Sequence, residues 1–156
     1  MENSKNEIFV LFTSTMVKAQ NELKAFMRNK LKGHNIDLTF EMLQVLIHLW
    51  EKQGVNQQEL ANLLHKDKAS MTYLIDNLSK RKLLQRSEDS ADRRNKLITL
   101  TPAGLALKSL ILPWIDELYT IAGKNVTKET LQNGISLFEK MYSNLATTGK
   151  WFFLLN

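Results

Sequence analysis

The sequence predicts a mainly α-helical protein with one small β-hairpin. Apolar residues recur at steps of three and four over most of the 156 residues, which is typical of helices with one buried face. Only residues 83–101 contain two short runs of β-like composition around a polar loop. The length suits one domain with a sizeable core, which we expect to be intertwined from three parts, residues 1–36, 37–101 and 102–156.

The first two predicted helices have recognisable ends. The first covers residues 7–31 and is expected to end near Gly33. Thr39 is a suitable N-cap for the second helix, in "LTFEMLQVLIHLWEKQG", and Gly54 is its expected stop. A third helix, "QQELANLLH", follows at once. Its start resembles a capping box because Glu59 comes three residues after Asn56.

The fourth helix, "KASMTYLIDNLSKRKL", has a polar outer face. Asp67 is its expected N-cap. Helical spacing assigns its buried stripe to Met71, Leu74, Ile75 and Leu78. The outer face then consists mostly of Lys68, Ala69, Ser70, Thr72, Tyr73, Asp76 and Asn77. Such side chains can bond to base edges or phosphates in a major groove, although a merely solvated helix face has the same composition.

A hairpin is predicted after the fourth helix. Its strands are expected in "LLQRSE" and "KLITLT", and its tip in the polar loop "DSADRRN". Two short helices, of which the second has a polar surface, followed by a hairpin form a winged helix-turn-helix. Arg93 and Arg94 at the tip would then be placed to reach phosphates or an adjacent minor groove.

The remaining sequence predicts two further helices. Thr101 and Pro102 are suited to the N-cap and first position of one helix, Pro113 should kink it, and Gly123 should end it. Thr127 is expected to cap the last helix. The chain ends in "WFFLLN", which we expect to dock on a partner subunit; the alternative is a binding patch for another protein.

The positive charge is concentrated in one segment. The net charge is +5, and residues 66–96 contain nine basic and five acidic residues, so they hold four of those five charges. A local basic excess is typical of a nucleic-acid surface, although solvated charged faces also have this composition.

Several function classes are disfavoured by composition. The chain has no cysteine, so disulfides, thiolate metal sites and thiol redox switches are excluded. His34, His48 and His65 lack metal-ligand spacing, and we find no nucleophile pair or phosphate-binding glycine loop, so we expect no enzyme, metal or cofactor. The N-terminus does not resemble a secretory signal and no apolar run has bilayer length, so we expect a cytoplasmic protein without membrane contact.

The segments "LTFEMLQVL" and "NQQELANLLHKDKASMTYLIDNLSKRKLLQRSEDSADRRNKLITLTPAG" resemble the multiple-antibiotic-resistance-regulator (MarR) family of bacterial transcriptional regulators. The most specific part is an Asp-x-Arg at Asp92 to Arg94, followed by a β run and a Leu-Thr-x-x-Gly that ends at Gly104. The resemblance spans nearly the whole chain.

The resemblance implies a homodimer that binds double-stranded DNA at a pseudo-palindromic operator, most often as a repressor. The first helix and the last two helices would form the dimerisation region. The recognition helix would correspond to residues 67–82, with the DNA-facing positions Lys68, Ala69, Ser70, Thr72, Tyr73 and Asn77. In the wing, Arg94 would enter the minor groove, Asp92 would orient it, and Arg93 and Lys96 would lie close to the backbone.

The resemblance also implies an effector. Such regulators commonly respond to small aromatic or phenolic anions bound between the dimerisation helices and the winged helix. Candidate lining residues are Phe12, Met16, Met42, Leu46 and Trp50, although such side chains are more often plain core.

The chain departs from the family pattern at three points. Tyr73 and Asn77 stand where the family often has arginine, and the first helix lacks the cysteine through which some relatives sense oxidants. Lys82 stands where the family usually has glycine, so we expect a left-handed backbone there, which a lysine tolerates poorly. Because fold alone does not determine function, a winged helix that binds protein or RNA is the alternative. An RNA reader would more often carry aromatic residues on a sheet face, and this hairpin has none.

Overall fold

The computed structural model describes residues 4–88 and 96–147, and these contain six helices and three strands. In chain order they are α1 (Lys5–Gly33), α2 (Phe40–Glu51), β1 (Val55–Asn56), α3 (Gln57–Leu63), α4 (Lys68–Lys80), β2 (Leu84–Glu88), β3 (Lys96–Leu100), α5 (Pro102–Ala122) and α6 (Lys128–Thr147). The mainly helical fold class with a small sheet is therefore confirmed. The chain divides into two compact units, Met1–Leu118 and Tyr119–Asn156.

Local side-chain caps begin the helices where the sequence predicts them. Thr39 Oγ1 accepts a hydrogen bond from the Met42 N–H at 3.2 Å, and Asn56 Oδ1 accepts one from the Glu59 N–H at 2.8 Å. The Glu59 carboxylate accepts from Lys52 Nζ at 2.7 Å, so only half of the predicted capping box forms at α3. A complete capping box at Ser4 begins α1, whose first residue, Lys5, lies two positions before the predicted start at residue 7.

The helices α2 and α5 end close to the glycines that were predicted to stop them. The helix α2 ends at Glu51, before Gly54, which has a positive φ of 70° in the connection to β1. The helix α5 runs through Pro113 as one element and ends at Ala122, next to the predicted stop at Gly123. A proline inside a helix removes one backbone donor, and α5 continues as a helix on both sides of Pro113.

The wing is part of a three-stranded antiparallel sheet in the order β1-β3-β2. The predicted hairpin pairs Leu84 with Leu100 and Glu88 with Lys96. The short strand β1 was not predicted, because two residues carry no readable alternation. Val55 pairs with Ile98 in it and is only 2% exposed. The sheet is thereby joined to the start of α3 and positioned beside the helix-turn-helix.

The core of the first unit lies between α2, α3, α4, the sheet and parts of α1 and α5. The predicted buried stripe of α4 is confirmed, since Met71, Leu74, Ile75 and Leu78 are all buried. Burying each such side chain contributes about 1.5–3 kcal/mol, so α4 is held firmly with its other face outward. Within residues 4–88 and 96–147, no helix is long and apolar enough to cross a membrane.

The junction between β3 and α5 depends on the predicted Leu-Thr-x-x-Gly motif. Thr101 Oγ1 accepts from the Gly104 N–H at 3.1 Å, which confirms the N-cap, and donates to the Lys82 carbonyl oxygen at 2.6 Å. Gly104 lies so close to the Leu83 backbone that a Cβ would overlap the Leu83 carbonyl group. Its own carbonyl oxygen accepts from Trp50 Nε1 at 3.0 Å. The motif therefore holds α5 against both α2 and the end of the recognition-helix segment.

The second unit contains the end of α5 and the whole of α6. Thr127 Oγ1 accepts from the Thr130 N–H at 3.1 Å, so the predicted cap of α6 is confirmed. The apolar face of α6 includes Leu131, Ile135, Phe138, Tyr142 and Leu145, which are between 42% and 72% exposed. This face is amphipathic in sequence and largely solvent-exposed in the single chain.

Candidate nucleic-acid interface

The cap of α4 arranges the N-terminal end of the candidate recognition helix. Asp67 accepts from the Ser70 N–H at 2.8 Å and from Ser70 Oγ at 2.7 Å. These two bonds, the backbone one first, lower the pKa of the Asp67 carboxyl below its ordinary value because they favour its charged form. The cap keeps the first turn intact at the surface, where Lys68 and Ala69 are exposed.

The six DNA-facing positions predicted on α4 fall into two groups. Lys68, Ala69 and Tyr73 are exposed, and Tyr73 is 64% exposed despite its large ring. Ser70 is half-buried and bonded to the cap. The exposed group gives this end of the helix a cationic ammonium group, a methyl group and a phenol, which together can contact phosphates, thymine methyl groups and base edges.

Thr72 and Asn77 are half-buried and are held within the protein. Thr72 Oγ1 accepts from Gln57 Nε2 at 2.6 Å and donates to the Lys68 carbonyl oxygen at 2.8 Å. Asn77 Nδ2 donates to the Tyr73 carbonyl oxygen at 2.8 Å, and its Oδ1 accepts from Arg81 Nη1 at 3.3 Å. Both side chains would have to exchange an internal bond for one to a base.

The C-terminal end of α4 has two features that position the helix. Lys82, where the family pattern has glycine, has the expected left-handed backbone with a φ of 57°. Arg81 bonds to Asp37, which lies in the connection between α1 and α2. Sequence reasoning assigned no role to Arg81 beyond its charge. No local signal could have identified its partner, because the two residues are 44 positions apart.

Two ion pairs fix the strands of the wing. Lys96 Nζ lies 2.8 Å from Glu88 Oε1, and the hydrogen bond and charge of Lys96 lower the pKa of the Glu88 carboxyl. Arg86 Nη2 lies 2.6 Å from Asp76 Oδ1, which joins β2 to the outer side of α4. Lys96 is thus paired at the end of the two strands that is nearest to the wing loop. The predicted tip residues Asp92, Arg93 and Arg94, like the tail at 151–156, lie outside the described residues.

The predicted ligand-cleft residues have different surroundings. Met42, Leu46 and Trp50 belong to the buried core, whereas Phe12 is half-buried and Met16 is 40% exposed on α1. The packing requirement of α2 accounts for the three buried positions.

A cavity of about 440 Å³ lies instead between α1 and the start of α2. It is lined by Asn21, Lys24, Arg28, Leu38, Thr39, Phe40 and Glu41. Lys24 Nζ lies 5.8 Å from the centre of the Phe40 ring. The cavity therefore combines two cationic side chains with one aromatic wall. Among the described side chains, His, Asp and Glu residues form no cluster of three or more that could hold a metal ion.

Comparison with known proteins agrees with this geometry. Residues 38–96, from the α1–α2 connection to the start of β3, match the profile of the MarR family. The chain is 25% identical over 114 residues to the HTH-type transcriptional regulator SarZ of Staphylococcus haemolyticus, and this match covers 73% of this chain and 75% of SarZ. Two further curated regulators are longer, and the chain covers 56% and 59% of their lengths.

Solved structures share the same fold. The S. aureus MepR–DNA complex has 26% identity and a TM-score of 0.72, and the match covers 92% of this chain and 99% of MepR. Bordetella bronchiseptica BpsR, whose DNA binding is regulated by 6-hydroxynicotinic acid, has 25% identity and a TM-score of 0.71 over 83% of this chain and 91% of BpsR. Residues 38–96 therefore form a winged helix-turn-helix of the MarR family, and the chain shares the fold of solved MarR-type transcriptional regulators.

Proposed function

We propose that this protein is a homodimeric repressor that binds operator DNA through α4 and the wing and is released by a small aromatic anion. The observation that carries the proposal is the outward face of α4. Its apolar stripe is buried, its N-terminal end is capped, and Lys68, Ala69 and Tyr73 are exposed on a fold that MepR uses in a DNA complex. A surface helix held in this way can enter a major groove.

The proposed DNA contacts fall into three groups: exposed residues of α4, internally bonded residues of α4, and residues of the wing. Lys68, Ala69 and Tyr73 contact the groove directly because they are exposed. Ser70, Thr72 and Asn77 contribute where a base offers a better partner than their internal one. In the wing, Arg94, oriented by Asp92, enters the minor groove, while Arg93 and Lys96 lie near the backbone. These positions follow the family pattern and the basic excess of residues 66–96.

Exposed apolar side chains support the homodimer. In the first unit, Ile8, Phe9, Val10 and Leu11 near the start of α1 are 50–67% exposed. The apolar face of α6 in the second unit is similarly exposed. Clusters of exposed apolar side chains are uncommon on soluble monomers and are typical of subunit interfaces. A two-fold dimer would cover them and would present two recognition helices to the two halves of a pseudo-palindrome.

The cavity between α1 and α2 supports the aromatic effector. Lys24 and Arg28 could pair with a carboxylate or phenolate, and the Phe40 ring could contact an aromatic ligand. BpsR, which has the same fold, is regulated by an aromatic acid, and a longer curated relative is named a transcriptional repressor. The ligand is therefore proposed to bind at this cavity rather than among Met42, Leu46 and Trp50.

The DNA-binding proposal is tested by fluorescence anisotropy with duplex DNA from the region upstream of the gene. We expect binding at two protomers per site that resists excess unrelated duplex and weakens steeply with salt, because phosphate contacts release counterions. Lys68→Ala should weaken it, whereas Lys124→Ala, which removes an equal charge between α5 and α6, should change affinity little. The upstream and intergenic duplexes of the locus should all be tested. If the protein binds each of them only weakly, and unrelated duplex displaces it equally well from each, the proposal is contradicted.

The effector proposal is tested on the same complex. Adding 6-hydroxynicotinic acid or benzoic acid as probes should release the protein from DNA, and Lys24→Ala with Arg28→Ala should lose this response while still binding DNA. Benzyl alcohol, which keeps the ring without the acid, is the matched control and should have little effect. Release that is unchanged in the double variant would contradict a site at this cavity.

A further inference from the structure

The side chain of Arg81 joins the end of the recognition helix to a distant part of the chain. Arg81 is the C-cap residue of α4. Its Nε donates to the Asp37 carbonyl oxygen at 2.8 Å and its Nη2 lies 2.6 Å from Asp37 Oδ2. Its Nη1 donates to the carbonyl oxygen of Asn77 at 3.2 Å and to Asn77 Oδ1 at 3.3 Å. The planar guanidinium is thus held on both sides, between α4 and Asp37.

The connection that receives Arg81 is itself well ordered by backbone hydrogen bonds. The Ile36 N–H donates to the Leu31 carbonyl oxygen at 2.9 Å, and the Leu38 N–H donates to the Ile36 carbonyl oxygen at 2.9 Å. Asp37 is therefore the central residue of a tight turn that continues directly from α1. A bond to the Asp37 backbone and side chain consequently ties α4 to the end of α1.

We propose that Arg81 and Asp37 are positioning residues, which hold α4 at the angle to α1 that operator binding requires. This inference rests on the proposed function, in which α1 belongs to the dimerisation region and α4 reads DNA. It also gives Asn77 a second role, because its Oδ1 orients the guanidinium. No DNA contact by Arg81 is needed, although Arg81 lies within the most basic segment of the chain.

Removing the Asp37 carboxylate should change DNA affinity in opposite directions, depending on whether its charge or its contact with Arg81 matters. Its side chain is 89% exposed, so the protein should fold without it, and removing its negative charge should by electrostatics alone strengthen binding to a polyanion. If the contact positions α4, removing it should instead weaken binding. Ion pairs this exposed contribute little to stability, so the effect should be on DNA affinity rather than on unfolding.

The first arm of the experiment compares Asp37→Ala with Glu22→Ala by anisotropy on the operator duplex. Glu22 is an exposed acid on α1 and gives the same charge change away from the contact. We expect Asp37→Ala to bind roughly three- to tenfold more weakly with an unchanged salt slope and an unchanged melting temperature. Glu22→Ala should bind as the wild type does or slightly more tightly. Asp37→Ala affinity equal to or above that of Glu22→Ala would overturn the inference.

The second arm uses Arg81→Lys, which keeps the charge but loses the fork geometry. A phosphate contact would largely survive this change, whereas the contact with Asp37 would not. We expect Arg81→Lys to lose about as much affinity as Asp37→Ala, and the double variant to lose no more than either. If Arg81→Lys binds the operator with full affinity, this inference is overturned but the proposed function is not. Failure of the wild-type protein to bind any operator duplex would refute the proposed function and this inference together.

Discussion

Gly104→Ala tests whether the glycine of the Leu-Thr-x-x-Gly motif is required for packing. A Cβ at this position would overlap the Leu83 carbonyl oxygen, and it would lie 2.9 Å from the Leu83 carbonyl carbon and 3.2 Å from Leu100 Cδ2. The obstacle is backbone rather than a flexible side-chain end. The Leu83 carbonyl oxygen also accepts a hydrogen bond from the Thr101 N–H at 3.1 Å, so it cannot move without loosening the start of α5.

The expected cost follows from these contacts. Forcing a methyl group into a packed site costs about 1–3 kcal/mol. Weakening the bond from Trp50 Nε1 to the Gly104 carbonyl oxygen, or the bond from Thr101 to Leu83, adds about 0.5–1.5 kcal/mol. Alanine recovers about 1 kcal/mol of helix propensity. We therefore expect Gly104→Ala to lower the free energy of unfolding by about 0.5–3.5 kcal/mol.

The measurement is urea unfolding followed by circular dichroism at one fixed protein concentration, because unfolding of the proposed dimer would depend on concentration. Gly33→Ala is the matched control, since a Cβ at that helical position meets nothing within 4 Å. It should leave stability unchanged or raise it by up to about 1 kcal/mol. Equal midpoints for Gly104→Ala and Gly33→Ala would refute the packing argument.

Three further predictions concern the recognition helix and wing. Lys82→Gly should raise the free energy of unfolding by about 0.5–1 kcal/mol, because it relieves a left-handed φ at a smaller entropic cost. Lys80→Gly, at the last residue of α4, should lower it by up to about 1 kcal/mol, and urea midpoints decide between these outcomes. The pKa of Asp67 is lowered in the folded protein, so its charged cap contributes stability above the unfolded pKa that is lost as pH falls through the folded value. Urea midpoints of the wild type should therefore fall relative to Asp67→Asn as pH drops below about 4, and parallel curves would contradict this. Arg94→Ala should weaken operator binding by about 1–3 kcal/mol in anisotropy titrations without changing the melting temperature, and an unaltered affinity would remove the wing tip from the mechanism.

The accuracy of the sequence predictions differs between local and distant features. The caps at Thr39, Asn56 and Asp67 and the buried stripe of α4 are correct because each depends on residues within one or two helical turns. The strand β1 was missed because it is two residues long and exists only through its pairing with β3. The ligand candidates Met42, Leu46 and Trp50 on α2 are buried in the core, and their spacing could not indicate this because an apolar stripe has the same spacing in both roles.

The candidate site shows the same division. Sequence identified the outer face of α4 and the strain at Lys82, since both follow from helical period and backbone preference. It could not distinguish an exposed Tyr73 from Thr72 and Asn77, whose side chains bond to Gln57 and Arg81. Side chains on one helix face share a direction but not the neighbours that other elements bring to them.

By itself, the sequence determined the helices and their caps, the hairpin, the basic segment and the resemblance to the MarR family. These features rest on composition, on short-range hydrogen bonds and on a period that repeats along the chain. Only the tertiary structure decided that Gly104 packs on the Leu83 backbone, that Val55 pairs with Ile98 and that Arg81 binds Asp37. Each of these contacts joins residues that are distant in sequence, and their meeting depends on how the whole core packs rather than on any local pattern.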